Sequence, residues 1–357
     1  MSLLVSILFA VILFSFLIFV HELGHFLAAK LSGVQVNEFS MFMGPAIASW
    51  TRGTTRYTIR CIPIGGSCAM EGEEEDTESP HSFQKAAWWK RFIILAAGSF
   101  MNFISGVLIV AVVLFFQPGY TTTELALVED WSTAAVENGL QTGDQILEFD
   151  GKRISIYEDF YLATMLAPDG NYDMTVLRNG EEVELKNVPM IRQLVANSTG
   201  GQTLLYGFKF AVNETTAASV PARILPTALY YVKSVVVGLE SLFSGQAGWQ
   251  DMTGAVGIVQ IMSESAAEAK TTGLALLSLL NFGGFLAINL AVMNVLPVPA
   301  LDGGRIVGLL LTTGIESVTR KKINPKFESY IHAAGMILLL ALMALITFKD
   351  IIVIFKR

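Results

Sequence analysis

The sequence predicts an α-helical polytopic membrane protein with about four transmembrane helices and an inserted, extracytoplasmic β-rich domain. Two observations predict this class. The 357 residues are 52% hydrophobic and only 15% charged, with a mean hydropathy of +0.53, whereas soluble domains average about 25% charged residues. The apolar residues are also concentrated in four runs, while the segment 118–273 is acidic, with nine Lys/Arg against nineteen Asp/Glu.

The first apolar run, Leu3 to Val20, is long enough to cross a bilayer. Its 18 residues reach about 27 Å as a helix, close to the hydrocarbon thickness. It has no basic leading segment and no small-residue cleavage site, so we expect a retained span and not a signal peptide. Three further runs predict the other spans: Phe92 to Phe116, Leu274 to Leu296, and Ile331 to Phe348.

Basic residues predict the orientation of these spans. Seven Lys/Arg lie between the first and second runs, and five follow the third run. Because cytoplasmic loops carry an excess of Lys and Arg, we expect these two loops to be cytoplasmic and the middle segment to be outside. Three basic residues near the C-terminus favour the opposite side: Lys349, Lys356 and Arg357.

Charge and cysteine content limit the function classes. The net charge of −7 argues against a nucleic-acid partner. Cys61 and Cys68 are the two cysteines, and they do not indicate a disulfide framework. The acidic stretch 71–76 is expected to be a solvated turn.

The segment from 118 to 212 changes to short strands and turns. ELALVEDW at 124–131 and MTVLRNGEEVEL at 174–185 alternate as half-buried strands, the second around an Asn179-Gly180 hairpin turn. A short helix ending at Gly139 is expected between them, with a turn at Asp150-Gly151. This spacing resembles a PDZ domain of the bacterial protease type, and the alternative is any small β-rich domain of about 90 residues.

A helix is predicted at 223–243, where apolar residues recur on one helical face. It could be an amphipathic helix packed on the β-rich domain. It could also lie at the membrane surface near an active site. The sequence leaves both interpretations open.

A potential metal site occurs at the end of the first run. His21 and His25 are four residues apart, which places both imidazoles on one helical face, and Glu22 is beside the first. A carboxylate within a bilayer costs about 2.5–3.5 kcal/mol on insertion scales, and a divalent metal would compensate it while also explaining both histidines. The alternative is a structural pair of histidines near the interface. His81 and His332 are expected to be structural.

Asp302 is the candidate third ligand, since a catalytic zinc takes three protein ligands and keeps one open position. Pro297 and Pro299 interrupt the helical pattern just before it, and Gly303-Gly304 follow. Such a sequence predicts an unwound stretch lining a protein-buried cavity, from which Asp302 could reach the metal. The alternative is that Asp302 is the N-cap of a helix beginning near Gly303.

Together these residues resemble the site-2 proteases, and within them the bacterial regulator-of-sigma-E protease type, over nearly the whole chain. HELGH at 21–25 is similar to the zinc motif of the family, and NVLPVPALDGG at 294–304 to its N-x-x-P-x-P-x-L-D-G motif. Ser99 and Ala255 stand where the family usually has proline, and the chain has space for one PDZ-like domain where several relatives carry two. Three further segments resemble family elements: IPIGGSCAMEGE at 62–73, GSFMNF at 98–103 and GAVGI at 254–258.

The resemblance implies an intramembrane zinc metalloprotease. His21, His25 and Asp302 would bind Zn²⁺, and Glu22 would be the catalytic base that activates water.

The resemblance also implies where substrate binds. Asn294 would hold the substrate backbone or the oxyanion. Gly65 and Gly66 would bind substrate within a membrane-associated β-hairpin loop at 36–70, which would pair with the unwound substrate as an added strand.

Four domains are expected: 1–117 with two spans, the zinc motif and the β-loop; 118–212, PDZ-like; 213–273, a helical connector; and 274–357 with the last two spans. By resemblance, the protein would lie in the bacterial inner membrane. It would cut single-span membrane proteins, such as anti-sigma factors, in regulated intramembrane proteolysis. Its PDZ-like domain would bind a peptide.

Two other functions remain as alternatives. The first is a non-catalytic membrane receptor with a PDZ-like domain and a structural metal. The second, metal transport, would need several polar residues across the spans, and the second and fourth runs offer few.

Overall fold

The computed structural model of the chain describes residues 3–73, 77–136, 139–196, 202–248, 250, 252–320 and 325–356. They fall into two compact units, Met1–Val110 with Val235–Arg357, and Ala111–Ser234. Lys321 and Lys322 of the basic loop, and residues 74–76 of the acidic stretch, lie outside the described residues. Eight α-helices occur in the described part of the chain: α1 (Leu3–Ser32), α2 (Trp88–Phe116), α3 (Tyr157–Leu166), α4 (Val220–Phe243), α5 (Ala255–Glu268), α6 (Thr272–Val295), α7 (Asp302–Thr319) and α8 (Pro325–Lys356). Ten strands accompany them: β1 (Val36–Arg52), β2 (Thr55–Met70), β3 (Gly119–Val128), β4 (Gln145–Phe149), β5 (Lys152–Arg153), β6 (Gly170–Arg178), β7 (Glu181–Met190), β8 (Gln193–Ala196), β9 (Gln202–Leu205) and β10 (Phe208–Glu214).

Membrane-spanning capacity resides in five of the described helices, so the protein is a polytopic membrane protein with a β-rich part. The four predicted runs fall in α1, α2, α6 and α8, and the fifth helix long and apolar enough to cross is α4. Helix α1 continues past Val20 to Ser32, because residues 26–31 are mainly good helix formers. The HELGH motif therefore lies within a helix and not at its end.

Glycines bring the helices of the first unit into close contact. A Cβ on Gly283 of α6 would lie 3.0 Å from Cδ1 of Leu13 in α1, and one on Gly106 of α2 would lie 2.6 Å from Cγ1 of Ile288 in α6. Small residues let helix backbones approach in a membrane, where association depends on packing and not on hydrophobic burial. Helices α1, α2 and α6 thereby form the packed scaffold of the candidate metal site.

Strands β1 and β2 form a hairpin that folds back on itself. Phe39 pairs with both Cys68 and Tyr57, so its part of β1 lies between two parts of β2. Positive φ angles at Phe42 (70°) and Gly65 (85°) occur near the bends. The resulting order across the sheet is 46–52, 55–60, 36–41, 66–70. The hairpin occupies the predicted segment 36–70, and its association with the membrane stays a prediction.

The sheet is held against α1 and α2 by a shared apolar core. Burying each large apolar side chain contributes about 1.5–3 kcal/mol, which fixes the 66–70 run beside the motif-bearing part of α1. The core contains Ala28, Ala29, Val34, Val36, Phe39, Cys68, Met70, Phe83, Ile94, Leu95 and Leu309.

The second unit is built on an antiparallel sheet with the order β10-β3-β4-β6-β7, to which β5 adds beside β4. The predicted turns are confirmed at Asn179-Gly180 and Asp150-Gly151, where all four residues have positive φ, as two-residue type I′ hairpins require. The short helix expected before Gly139 is replaced, within the described residues, by turns such as Ala135 N–H to Ser132 C=O. A buried core centred on Phe149 and Val176 closes the unit.

Helix α4 corresponds to the helix predicted at 223–243, and its first part packs on the β-rich unit. Nζ of Lys233 lies 2.7 Å from Oδ1 of Asp159, and the Arg223 guanidinium lies 3.8 Å from the ring centroid of Tyr120. These contacts agree with the first of the two interpretations for this part of the helix.

Candidate metal centre

The two histidines of α1 face one another one turn apart. Their Nε2 atoms are 3.2 Å apart, and the rings meet edge to face with centroids 4.8 Å apart. Residues at i and i+4 share a helical face, so the helix alone brings the two nitrogens together. His25 is buried and His21 is partly buried.

Asp302 reaches this pair from the segment that follows α6. Its Oδ2 lies 3.1 Å from Nε2 of His21 and 3.3 Å from Nε2 of His25. The N-cap position of α7 is Leu301, and Asp302 is the first residue of the helix. The N-cap role considered for Asp302 from the sequence is therefore not what the structure has.

The chain between α6 and α7 is unwound, as the prolines predicted. Pro297 and Pro299 have no N–H to continue a helical ladder, and Ala300 has a φ of 83°. Two glycines then permit a sharp return. A Cβ on Gly303 would lie 2.1 Å from the Val295 carbonyl oxygen, so only glycine fits there.

The three atoms, Nε2 of His21, Nε2 of His25 and Oδ2 of Asp302, are spaced as the ligands of a tetrahedral metal ion would be. They lie 3.1, 3.2 and 3.3 Å from one another, and ligands at about 2.0–2.1 Å from a tetrahedral zinc are about 3.3 Å apart. Oδ2 of Asp302 is buried and makes no hydrogen bond within the described part of the chain. A cation placed among the three atoms would satisfy that oxygen and leave a fourth position for water or substrate.

Neighbouring groups on α2 orient the imidazoles. Nδ1 of His25 lies 2.8 Å from the Ile94 carbonyl oxygen, so Nδ1 carries the proton and donates it, and Nε2 keeps a free lone pair. A Cβ on Gly98 would lie 2.4 Å from Nε2 of His25. The glycine of the GSFMNF segment is therefore required by the space the imidazole occupies.

Asn102 faces the other histidine. Its amide nitrogen lies 3.4 Å from Nδ1 of His21, and its buried Oδ1 has no hydrogen-bond partner in the described residues. The amide oxygen and nitrogen are assigned by their hydrogen bonds, and exchanging them gives His21 an acceptor for its Nδ1 proton. In the sequence, Asn102 is part of the GSFMNF segment and was not predicted to contact the histidines. An asparagine inside an apolar run was the signal that could have identified it.

Glu22 lies beside the edge of the β1–β2 sheet. A Cβ on Gly66 would lie 3.2 Å from Cγ of Glu22, and one on Gly65 would lie 2.7 Å from Cγ of Met43. Gly66 therefore lies next to Glu22, whereas Gly65, which has a positive φ, lies near the bend of the hairpin. Asn294 is half-buried in the last turn of α6, and no hydrogen bond of the described residues joins it to the histidines or to Asp302.

An ion pair connects the sheet to α7. Nη1 of Arg305 lies 2.5 Å from Oε1 of Glu73, and Oε2 of the same carboxylate accepts the Met70 N–H at 3.2 Å. Met70 ends β2, and Arg305 lies one turn after Asp302. No local sequence pattern indicates this pair, because its partners are 232 positions apart.

Comparison with known proteins agrees with these features. The model of Peptidase family M50 matches residues 9–342. A candidate zinc metalloprotease of Clostridium perfringens is 34% identical over 355 residues, covering 97% of this chain and 98% of the relative. One of Fusobacterium nucleatum is 34% identical over 364 residues with the same coverage, and one of Helicobacter pylori is 28% identical over 356 residues, covering 96% and 98%. The chain therefore belongs to Peptidase family M50, the site-2 protease family, and is a zinc metalloprotease.

Proposed function

We propose that this protein hydrolyses peptide bonds within or near the transmembrane segments of single-span membrane proteins. The observation that carries the proposal is the convergence of His21, His25 and Asp302 beside Glu22, on a helix apolar enough to span a membrane. In hydrocarbon, ionisable groups face the protein interior and mark functional sites. A site so placed acts on chains that enter the bilayer.

His21, His25 and Asp302 would hold the zinc. When bound there, zinc polarises a carbonyl and lowers the pKa of water to about 7. The Glu22 carboxylate accepts a proton from the attacking water and returns it to the leaving amide nitrogen. Ile94 and Asn102 keep the Nε2 atoms of the imidazoles directed at the metal.

The 66–70 run of β2 is proposed as the surface that receives substrate. In the described residues this run pairs on one side only, with the beginning of β1, so no strand occupies its other edge, although the Met70 N–H is bonded to the Glu73 carboxylate. A transmembrane helix hides its carbonyls in hydrogen bonds and must unwind before cleavage. Pairing with this edge satisfies the released groups, and Gly66 sets that edge beside Glu22. Asn294 would hold the substrate backbone or the oxyanion.

Four crossings are proposed, by α1, α2, α6 and α8, with α4 along the membrane surface. Contacts between Leu13 and Gly283, and the approach of both α1 and α6 to the metal centre at their C-terminal parts, indicate that these helices run in the same direction. Helix α2 approaches that centre near its N-terminal part, so its end and the start of α6 are on one side.

Crossing parity supports this role for α4. If α4 crossed, a second crossing would be needed before α6, and the 14 residues of α5 reach only about 21 Å. With the basic loops cytoplasmic, residues 118–273 are outside. The localisation proposed is the bacterial inner membrane.

The β-rich unit is proposed to be a PDZ-like domain that binds an extended peptide at a sheet edge. Its five-strand path, ending at β10 and β7, and its helix α3 support this assignment. Domain boundaries at 117, 212 and 273 are proposed with it. Cleavage of an anti-sigma factor in regulated intramembrane proteolysis is the physiological role we infer by analogy with the family.

A purified-component assay tests the proposal. The protein is incubated with a single-span substrate, with and without a zinc chelator, and the products are mapped by mass spectrometry. We expect cleavage within or next to the span, and its loss with the chelator and in Glu22→Gln, which should retain zinc. Glu181→Gln, at the exposed start of β7, is the matched control and should cleave normally. Full cleavage by Glu22→Gln would refute the role of Glu22, and retained zinc without any proteolysis in the wild type would favour the receptor alternative.

A further inference from the structure

The unwound segment 296–301 determines where the Asp302 carboxylate lies. Pro297 and Pro299 have no backbone N–H. The Val298 N–H donates to the Leu296 carbonyl, and the Leu301 N–H donates to the Val298 carbonyl. The Ala300 N–H remains, on a residue whose φ of 83° is in the region that L side chains rarely adopt. Asp302 follows two residues later.

His332 of α8 accepts this hydrogen bond. Its Nδ1 lies 3.1 Å from the Ala300 nitrogen, which requires an unprotonated Nδ1 and, in the neutral ring, a proton on Nε2. An N–H without an acceptor is costly at membrane depth. The imidazole therefore favours the unusual Ala300 conformation over one that would turn the N–H elsewhere.

Gly335 provides a second, independent contact between α8 and the same segment. A Cβ on Gly335 would lie 2.5 Å from Cβ and 2.7 Å from the carbonyl oxygen of Pro299. Residues at i and i+3 share a helical face, so His332 and Gly335 contact Ala300 and Pro299 from the same side of α8. This face of α8 is shaped for the segment that precedes Asp302.

We propose that His332 is a positioning residue of the metal centre, holding the 296–301 segment through Ala300 so that Asp302 meets both imidazoles. The proposal rests on the proposed function, in which Asp302 is a zinc ligand. His332 does not touch the metal, the substrate or Glu22 in this role, and it acts through the backbone of the segment. Removing the His332 hydrogen bond is therefore expected to lower zinc affinity directly, and to lower activity only as a consequence.

Two substitutions separate the hydrogen bond from packing. Asn in His332→Asn places an amide oxygen near the position of Nδ1 and keeps an acceptor, whereas Leu in His332→Leu fills similar space without one. Zinc affinity of the purified full chain is measured by competition with a chelating dye. We expect His332→Leu to bind zinc about tenfold more weakly, by analogy with other outer residues of metal sites, and His332→Asn to stay within about threefold of the wild type.

Three comparisons complete the design. Met336→Leu, at an exposed position on α8, controls for substitution in that helix and should bind zinc normally. Thermal unfolding of the metal-free variants checks that each is folded. Asp302→Ala tests the proposed function separately and should lose more affinity than His332→Leu.

The outcomes are distinguishable. Wild-type affinity in His332→Leu, or an equal loss in His332→Leu and His332→Asn, would overturn the positioning role, the second because packing alone would then explain it. If Asp302→Ala keeps wild-type affinity, the ligand assignment fails and the proposal fails with it. Loss in Asp302→Ala and His332→Leu with recovery in His332→Asn supports both.

Discussion

At the scale of single residues, the candidate metal centre is lined by groups that contact the imidazoles of His21 and His25 and are not themselves candidate ligands. Asn102 is 1% exposed, and its amide faces Nδ1 of His21. The Ile94 carbonyl oxygen likewise contacts Nδ1 of His25, from which it accepts a hydrogen bond. Groups of this kind fix ring orientation and tautomer, and replacing them costs about 10–100-fold in metal affinity.

Replacing Asn102 tests this directly. Asn102→Leu removes the acceptor for the His21 Nδ1 proton and should weaken zinc binding by about 10–100-fold. Asn102→Asp keeps an acceptor, as in the carboxylate–histidine pairs of many zinc sites, and should recover most of the affinity. Chelator competition on the purified variants measures both. If Asn102→Leu binds zinc as tightly as the wild type, Asn102 does not have the proposed role of orienting His21.

The glycine beside the imidazoles gives a steric prediction. A Cβ at Gly98 would lie 2.4 Å from Nε2 of His25, so Gly98→Ala should displace the ring, weaken zinc binding and destabilise the fold by about 1–3 kcal/mol. Gly238→Ala is the matched control, because its Cβ would meet open space. Zinc content and thermal unfolding check the pair, and normal zinc content in Gly98→Ala would contradict the ring position.

At the scale of elements, the Glu73–Arg305 pair joins the sheet edge to α7. Both side chains are partly buried, at 14% and 31% exposure, and Glu73 also accepts the N–H of Met70. We expect Glu73→Gln and Arg305→Met each to reduce cleavage, chiefly by raising KM, because the 66–70 run that we propose to bind substrate would shift.

A double-mutant cycle measures whether these two residues act together. Contacting residues usually couple by about 0.5–3 kcal/mol, so the double variant should lose less than the sum of the single losses. Zinc affinity should change much less than KM in all three. Additive losses would show that the two residues act independently.

A second element-scale ion pair stabilises the β-rich unit. Asp144 is 1% exposed and accepts from Nε and Nη2 of Arg178, both at 2.8 Å, and from the Gln141 N–H. The hydrogen bond to Asp144 raises the pKa of Arg178 above its usual value, and a guanidinium is in any case protonated throughout the working pH range.

Removing this guanidinium should loosen the unit. Arg178→Met leaves a buried carboxylate without its partner, which costs about 3 kcal/mol and corresponds to roughly 100-fold faster exchange of the β4 and β6 amides. Hydrogen-exchange mass spectrometry of the full chain provides the measurement. Arg192→Met is the control, since its pair with Asp169 is solvent-exposed, and such pairs contribute little. Similar amide exchange rates in Arg178→Met and Arg192→Met would contradict the proposal that the Asp144–Arg178 pair stabilises the unit.

At the scale of the whole molecule, the chain should cross the membrane four times, with α4 on the outer surface. Cysteines introduced at Thr216, before α4, and at Gln246, after it, should both be labelled by an impermeant reagent on intact cells, after Cys61 and Cys68 are replaced by Ser. A cysteine at Gly53, in the predicted cytoplasmic loop, should not be labelled. Labelling at one of the two α4 positions alone would mean that α4 crosses.

The sequence predicted what depends on local pattern and spacing. Four apolar runs, the Asn179-Gly180 turn and a break before Asp302 follow from hydropathy, from positive-φ preferences and from proline. It could not predict that Ala300 takes a positive φ or that His332 accepts its N–H, because both depend on how α8 packs. His21, His25 and Asp302 lie together as their motifs indicated, and their role as ligands stays a prediction.

The central claim is that one zinc ion is held by two residues of α1 and by the first residue of α7. Zinc X-ray absorption of the purified chain, with metal content per chain, tests it most directly. We predict one zinc per chain with two imidazole nitrogens in the wild type and in Glu22→Gln, and loss or rearrangement of the site in Asp302→Ala. A zinc without imidazole ligands, or an unchanged coordination shell and affinity in Asp302→Ala, would contradict the account.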